Sequence, residues 1–100
     1  MAEVGLSEQA RVDLQLIRAE GVERFGEEVA ERHLQSIRYV FDLLSRHPLA
    51  GQERPEFRAR IRAVSRRPHR ILYEARANDV FVVRILHQAQ DVMAALNDTQ

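Results

Sequence analysis

The spacing of the apolar residues changes once along this 100-residue chain, and that change limits the folds it can adopt. Between residues 8 and 46 apolar side chains recur every three or four positions, as on one face of a helix. Between residues 58 and 87 they alternate with polar residues or form runs rich in β-branched side chains, as in strands. Helices followed by strands predict an α+β domain with the helices on one face of an antiparallel sheet.

Two helices are predicted in the first half. Ser7 is a favourable N-cap for a helix over about 8–24, and a second helix over about 27–46 ends before the next proline. Phe25 and Gly26 leave a short connection, which favours an antiparallel helical hairpin. The second helix carries an apolar stripe that we expect to face the sheet. The stripe consists of Ala30, Leu34, Ile37, Phe41 and Leu44.

Three antiparallel strands are predicted after a loop over 47–57. In the first strand Arg58, Arg60 and Arg62 alternate with apolar residues, which would place three guanidinium groups on one strand face. The other two strands flank turn residues and should form a hairpin. These strands cover 70–75 and 80–87, with a possible further strand over 3–6 and a last helical turn over 92–96.

The predicted helices cover only one face of this sheet. Strand 80–87 is apolar on both faces, which is typical of a strand covered on both sides. Because few elements remain for the second face, we expect an exposed apolar surface there, at Leu72, Val82 or Phe81 according to register. Tyr73 and Phe81 are expected to be core aromatics. An exposed apolar surface beside arginines indicates a protein partner.

The arginines are concentrated in one segment, although the formal net charge of the chain is zero. Residues 54–70 contain seven Arg and a single acid, Glu56, for a net charge of +6. This pattern is typical of a site for an anion or an acidic partner, and the alternative is a solvated face balanced by the acidic helices. The residues expected to bind the target or partner are Arg58, Arg60, Arg62, Arg66, Arg70, His87 and Asp91.

Several classes of protein are excluded by composition. Without cysteine there is no disulfide framework and no thiolate metal site. His33 and His47 are too isolated in sequence to indicate a metal site. The start of the chain lacks an export signal, and no apolar run is long enough to span a membrane. We therefore expect one cytoplasmic domain over 1–100, with no cofactor and no metal.

An ordered series of short motifs resembles a known family. No single motif is specific, but the series covers about residues 4–91 and is similar to the ParE branch of the ParE/RelE toxin superfamily. The motifs are Ala10-x-x-Asp13-Leu14-x-x-Ile17, Phe25-Gly26 with Ala30, His47-Pro48-x-x-Gly51, His69-Arg70-Ile71-Leu72-Tyr73-Glu74, and Val80-x-Val82-Val83-Arg84-Ile85-Leu86-His87 with Gln90-Asp91.

The resemblance implies the toxin of a type II toxin–antitoxin system, associated with growth inhibition and plasmid stabilisation. Its fold would be a helical hairpin packed on a twisted antiparallel sheet. ParE-like members inhibit DNA gyrase and are neutralised by a cognate ParD-like antitoxin, which binds DNA, whereas this chain alone would not bind a specific DNA sequence.

The RelE branch implies an alternative, a ribosome-dependent mRNA endoribonuclease. In that case Arg62, Arg70 and His87 would surround the scissile phosphate. The tail after His87 lacks the basic residue and the tyrosine of the ribonucleases, and the neutral overall charge disfavours docking on ribosomal RNA. The resemblance therefore favours the gyrase-directed branch.

Two polar residues of the last strand have more than one interpretation. Asp91 follows His87 by four residues and could orient its imidazole as a general base, although a structural or partner-binding role is favoured. Arg84 lies among aliphatic residues, where an unpaired charge would be costly. It is expected to pair with an acid such as Glu74 or to reach the open face of the sheet.

Overall fold

The structure is a computed structural model that describes residues 1–99. Within this range no helix has the length and apolarity needed to cross a bilayer. Five strands and three helices follow one another along the chain. They are β1 (Glu3–Leu6), α1 (Glu8–Phe25), α2 (Glu27–Arg46), β2 (Gln52–Glu53), β3 (Arg62–Arg66), β4 (His69–Ala75), β5 (Asp79–His87) and α3 (Val92–Asn97).

The five strands form one sheet in the order β1-β5-β4-β3-β2. Strands β2 to β5 are antiparallel neighbours, whereas β1 pairs with β5 in parallel. The α+β fold is confirmed, and the sheet is mixed rather than purely antiparallel. Parallel neighbours require a crossover between them. The helices and the remaining strands provide that crossover between β1 and β5.

The helical hairpin is formed as predicted, with both helices within one residue of the expected bounds. The Ser7 hydroxyl accepts a hydrogen bond from the Ala10 amide at 2.9 Å and caps α1. Gly26 joins the helices with a φ of 86°, a conformation that residues with a Cβ rarely adopt. A Cβ on Gly21 would lie 3.1 Å from the Cβ of Ala30, so the helices also approach closely near the turn.

The hairpin packs on the first face of the sheet. The predicted stripe lies there: its members are buried except Phe41, which is half-buried against the same core. Large aliphatic side chains of α2 meet the central strands, where Tyr73 is fully buried. The core on this face is centred on Ile37, Val40, Leu44, Ile71, Tyr73, Val80, Val82 and Ile85.

The second face of the sheet is covered, which corrects the prediction of an exposed apolar surface. Val92 and Leu96 of α3 pack there, and the segment before β3 adds Phe57 and Ile61. Of the residues expected to be exposed there, Leu72 is fully buried and Phe81 half-buried on this face, whereas Val82 is buried in the core of the first face. The predicted last helical turn is formed, and it supplies two apolar residues one turn apart that cover this face. The apolar part of the expected partner surface is therefore covered by this chain itself.

Candidate functional site

The alternating arginines of residues 58–62 do not lie on a strand. Strand β3 begins only at Arg62, and residues 55–60 form turns in which Arg60 has a φ of 69°. The turns are closed by backbone hydrogen bonds from Phe57 to Arg54 and from Ile61 to Arg58. Burial of Phe57 and Ile61 on the second face of the sheet fixes this shape, and it overrides the period of two. The prediction of three guanidinium groups on one strand face is wrong.

Acidic residues outside residues 54–70 form salt bridges with two arginines of this positive segment. Arg58 pairs with Glu74 of β4 at 3.6 Å, and Arg62 pairs with Glu53 of β2 at 2.9 Å. Arg54 pairs with the one acid inside the segment at 2.7 Å. Within residues 1–99 the arginines of this segment without a salt bridge are Arg60, Arg66, Arg67 and Arg70.

Arg62 holds the loop that follows α2. Its guanidinium donates to the carbonyl of Gly51 at 2.7 Å and to that of Leu49 at 3.3 Å. The Tyr73 hydroxyl donates to the Pro48 carbonyl at 2.7 Å and accepts from the Gly51 amide at 2.8 Å. Burial raises the pKa of Tyr73, so this phenol stays protonated. Arg62 therefore stabilises the loop between α2 and β2.

The three residues of the ribonuclease alternative are not brought together. Arg62 is paired with Tyr73 and faces the helices, whereas Arg70 is paired with Leu86 of the second face. The Arg70 guanidinium lies 5.9 Å above the Phe57 ring and donates to the carbonyl of Gln88 at 3.0 Å. Two arginines on opposite faces of the sheet cannot hold one phosphate beside His87.

Asp91 does not orient His87. Its carboxylate accepts from the Ala94 amide at 3.2 Å and caps α3. The Nδ1 atom of His87 instead accepts from the Ala89 amide at 3.1 Å, and the His87 amide donates to the side chain of Gln90 at 2.8 Å. The hypothesis of an imidazole–carboxylate base is therefore wrong for this pair.

Arg84 pairs with Asp13 rather than with Glu74. Two nitrogens of Arg84 donate to the two carboxylate oxygens of Asp13 at 2.8 and 2.9 Å, and a third donates to the Ala95 carbonyl at 3.0 Å. Asp13 also accepts from the Ile85 amide at 2.9 Å. Hydrogen bonding to Asp13 raises the pKa of Arg84. The pair ties α1 to β5 and to α3.

Contacts from Ser7 and Asp13 also satisfy backbone groups along the edge of β5. Strand β1 pairs with β5 only as far as Val82. Beyond it the Ser7 amide donates to the carbonyl of Val82 at 2.9 Å, the Ser7 hydroxyl donates to that of Val83 at 2.6 Å, and Asp13 accepts from Ile85. Ser7, the N-cap of α1, and Asp13 of α1 thus occupy backbone groups of β5 that a longer β1 would otherwise pair.

Three histidines meet where α2 crosses the start of β4 and the end of β5. The Nε2 of His33 lies 2.9 Å from the Nδ1 of His69, and the rings of His69 and His87 pack edge-on at 5.6 Å. Burial, followed by the neighbouring His33 and His87, lowers the pKa of His69 to about 4. Burial and the charge of Arg66 lower the pKa of His33. Both imidazoles are therefore neutral at pH 7.

The sequence analysis did not identify this histidine cluster, although the predicted hairpin indicates that two of its members lie close together. His69 precedes the first strand of the predicted hairpin and His87 ends the second, so hairpin pairing brings them near each other, and the register shift at Leu72/Tyr73 makes them direct partners. His33 comes from a separate helix, and no spacing rule connects it to the strands. In residues 1–99 no group of three or more His, Asp or Glu side chains is placed to hold a metal ion.

The histidines form one wall of a cleft that we call the histidine cleft. It has a volume of about 340 Å³ and opens between the turn of the helical hairpin and the β3–β4 turn. Its apolar wall comes from the helices, and two charged side chains of α1, Glu20 and Arg24, line it as well. The apolar residues are Ile17, Gly21, Phe25, Val29 and Ala30, with Pro68 opposite them.

Comparisons with known proteins agree with the fold and the motif order. The family model described as the ParE toxin of the type II toxin–antitoxin system parDE matches residues 4–92. Toxin ParE3 of Caulobacter vibrioides is 33% identical over 84 residues, 84% of each chain. Toxin ParE1 of the same organism is 29% identical over 91 residues, which are 91% of this chain and 94% of the relative.

A solved structure shows the same fold. The chain is similar to one described as a chromosomal ParDE TA system from P. aeruginosa, with a TM-score of 0.74 and 22% identity. The alignment covers 87% of this chain and 96% of that one. Because the family model matches nearly the whole chain, including the hairpin, the sheet and β5 up to His87, the chain belongs to the ParE toxin family of type II toxin–antitoxin systems.

Proposed function

We propose that this chain is a toxin that arrests growth by inhibiting DNA gyrase, and that a cognate ParD-like antitoxin neutralises it. The observation that carries the proposal is the match to the ParE toxin family over residues 4–92. The gyrase-directed activity belongs to the ParE branch, and the two Caulobacter relatives carry ParE names. Gyrase is a cytoplasmic enzyme, so the toxin would act in the cytoplasm.

The arrangement of the basic residues supports the gyrase branch over the ribonuclease branch. A ribonuclease of this superfamily needs basic groups and an acid–base group around one phosphate. Here Arg62 is occupied by the loop after α2, Arg70 lies on the other face of the sheet, and His87 accepts a hydrogen bond from the chain that follows it. Arg62 and Arg70, on opposite faces of the sheet, do not converge on His87.

Neutralisation by an antitoxin is supported by the structural neighbour, whose description names a ParDE system. Antitoxins of this kind are encoded beside their toxins. The proposal predicts that co-expression of the adjacent antitoxin restores growth and that the two proteins purify together.

The test is induced expression in a bacterial host without antitoxin. Growth is expected to stop, a reporter plasmid is expected to lose negative supercoils, and primer extension is expected to find translated messages intact. His87→Ala and the control His47→Ala should both leave the messages intact. Specific cleavage of messages that His87→Ala abolishes and His47→Ala does not would refute the gyrase proposal and establish the ribonuclease.

A further inference from the structure

Three arginines lie together at the end of the β3–β4 hairpin. Arg66 ends β3, Arg67 lies in the turn and Arg70 is the second residue of β4. We call these three residues the arginine turn. Within residues 1–99 none of them forms a salt bridge, and residues 88–90, which hydrogen-bond to the turn and to Arg70, are uncharged. The positive charge of the arginine turn is therefore available to an anionic ligand.

The arginine turn presents positive charge on both faces of the hairpin. Arg66 lies opposite His69, which contacts His33 on the helical face, whereas Arg70 lies opposite Leu86 of the second face. The two guanidinium groups therefore suit two separate anions rather than one. The major groove of duplex DNA admits a two-stranded β-ribbon and has a phosphate backbone on each side, so it matches this arrangement.

On the second face, Arg70 is held in place before a ligand arrives. Its guanidinium donates to the Gln88 carbonyl at 3.0 Å and lies 5.9 Å above the Phe57 ring. One hydrogen bond leaves most of its N–H donors for phosphate oxygens, and the fixed position reduces the entropy lost on binding. The exposed Ser65 lies directly opposite Arg70 on β3, and a serine hydroxyl is a further donor to phosphate.

The surface around the arginine turn lacks the apolar centre that a protein interface requires. Between residues 54 and 70 no large apolar side chain is exposed, because Phe57 and Ile61 pack on the second face of the sheet. Binding to a phosphate backbone needs charge and hydrogen-bond donors but no apolar anchor. The surface therefore favours a nucleic acid over an acidic protein.

The charge of the whole chain orients this surface toward a polyanion. Residues 51–100, which contain strands β2 to β5, have nine Arg and six acids, whereas residues 1–50, which contain both long helices, have six Arg and nine acids. A polyanion thus attracts the strands and repels the helices. Approach with the strands toward the DNA is favoured even though the net charge of the chain is zero.

We propose that the arginine turn contacts the phosphate backbone of the double-stranded DNA that gyrase holds, so that the toxin binds the enzyme and its DNA together. This inference rests on the proposed function, because gyrase is the enzyme that brings the DNA to the toxin. Phosphate contacts carry no sequence information, so the inference agrees with the expectation that the chain alone binds no specific DNA sequence.

The first experiment places a photo-cross-linker beside the arginine turn. Because the chain has no cysteine, Ser65→Cys introduces a single thiol next to Arg66 and opposite Arg70. Tyr39→Cys is the control, since Tyr39 is 63% exposed on α2. Each full-length variant carries benzophenone maleimide and is irradiated with gyrase bound to radiolabelled duplex DNA. The Ser65→Cys conjugate is expected to become cross-linked to the DNA, and the Tyr39→Cys conjugate is not.

The second experiment removes the charge of the arginine turn. Its three residues are replaced together by Gln, and the control replaces three exposed arginines of the helices, Arg11, Arg18 and Arg32, so that both variants have the same net charge. Fluorescence anisotropy measures binding to gyrase with and without duplex DNA. With DNA, the turn variant is expected to raise Kd by about tenfold or more and the control to leave it within about twofold. The slope of log Kd against log salt concentration is expected to decrease by about 2–3 in the turn variant. Without DNA, the two variants are expected to bind equally.

Circular dichroism and thermal unfolding verify that all variants are folded. A Ser65→Cys conjugate that labels DNA no more than the Tyr39→Cys conjugate would overturn the inference, as would a turn variant that binds the gyrase–DNA complex as tightly as the helix control. Inhibition of supercoiling by the wild-type toxin would then leave the proposed function intact. Failure of the wild-type toxin to inhibit gyrase would refute the proposed function, and the inference with it.

Discussion

The buried ion pair between Asp13 and Arg84 is expected to contribute more to stability than any exposed pair of this molecule. Asp13→Ala removes both carboxylate oxygens at once. Arg84 then loses two hydrogen bonds of 2.8 and 2.9 Å, and the Ile85 amide loses its acceptor. Because the pair lies under α1 and β1 does not extend this far along β5, water replaces these bonds only in part.

The loss of unfolding free energy expected for Asp13→Ala depends on how deeply the two partners are buried. The side chain of Arg84 keeps 14% of its surface exposed and that of Asp13 keeps 9%. Removing one partner of a buried pair typically costs about 3–5 kcal/mol, because the other charge is left uncompensated. Alanine is a better helix former than aspartate by up to about 0.7 kcal/mol, which offsets a small part of the loss. In a domain of this size the expected decrease in Tm exceeds about 10 °C.

Urea denaturation followed by circular dichroism measures the change in the free energy of unfolding. Glu31→Ala is the control, since it removes an ion pair of similar length, 3.0 Å to Arg38, that is more than half exposed. That control is expected to cost no more than about 1 kcal/mol. If Asp13→Ala destabilises the protein as little as Glu31→Ala, the pair does not hold α1 against β5 and the reasoning is refuted.

Three further predictions concern the core and the histidines. Ile37→Ala should lower the free energy of unfolding, measured by urea denaturation, by about 2–5 kcal/mol, because Ile37 is fully buried. If Ile37→Ala lowers it less than Phe41→Ala does, although Phe41 is only half-buried, the core does not lie around Ile37. A Cβ on Gly51 would lie 2.6 Å from the Tyr73 ring, so Gly51→Ala should lower Tm, and an unchanged Tm would contradict this contact. The pKa of His69 is about 4 in the folded protein against 6.5 for a free imidazole, so the unfolded chain takes up the proton first. The free energy of unfolding should therefore fall between about pH 6.5 and pH 4, and this slope should be smaller in His69→Phe; an equal slope would mean that other groups cause it.

The elements set by local spacing were predictable from the sequence. The helical hairpin depends on an apolar stripe and on Ser7 and Gly26, which are all visible as a pattern. The β4–β5 hairpin also follows from local signals. The parallel pairing of β1 with β5 does not, because it joins the two ends of the chain. The two hairpins need no knowledge of distant contacts beyond the presence of one apolar core.

The errors arose where distant contacts decide the local structure. Alternation over 58–62 predicted a strand, but Phe57 and Ile61 are needed on the second face and bend the chain into turns. The partner of Arg84 is Asp13, 71 residues away along the chain, whereas the predicted hairpin places Glu74 nearer. Neither result can be deduced from spacing, because each depends on which element covers which side of the sheet.

In the candidate site, too, some features are visible in the sequence and others depend on distant contacts. The positive segment was visible as composition, yet its pairing with Glu53 and Glu74 was not, since those acids come from β2 and β4. The histidine cleft depends on a helix crossing that brings His33 to His69. Composition thus indicates that a charged surface exists, and the fold decides which of its arginines remain available to a partner.

Inhibition of gyrase can be measured with purified components. Relaxed plasmid, gyrase and ATP are incubated with increasing amounts of the purified toxin, and the plasmid topoisomers are separated on a gel. Supercoiling is expected to be inhibited as the toxin concentration rises, and toxin premixed with its antitoxin is expected to have no effect. Full supercoiling in a large molar excess of toxin that still arrests growth in cells would contradict inhibition of gyrase.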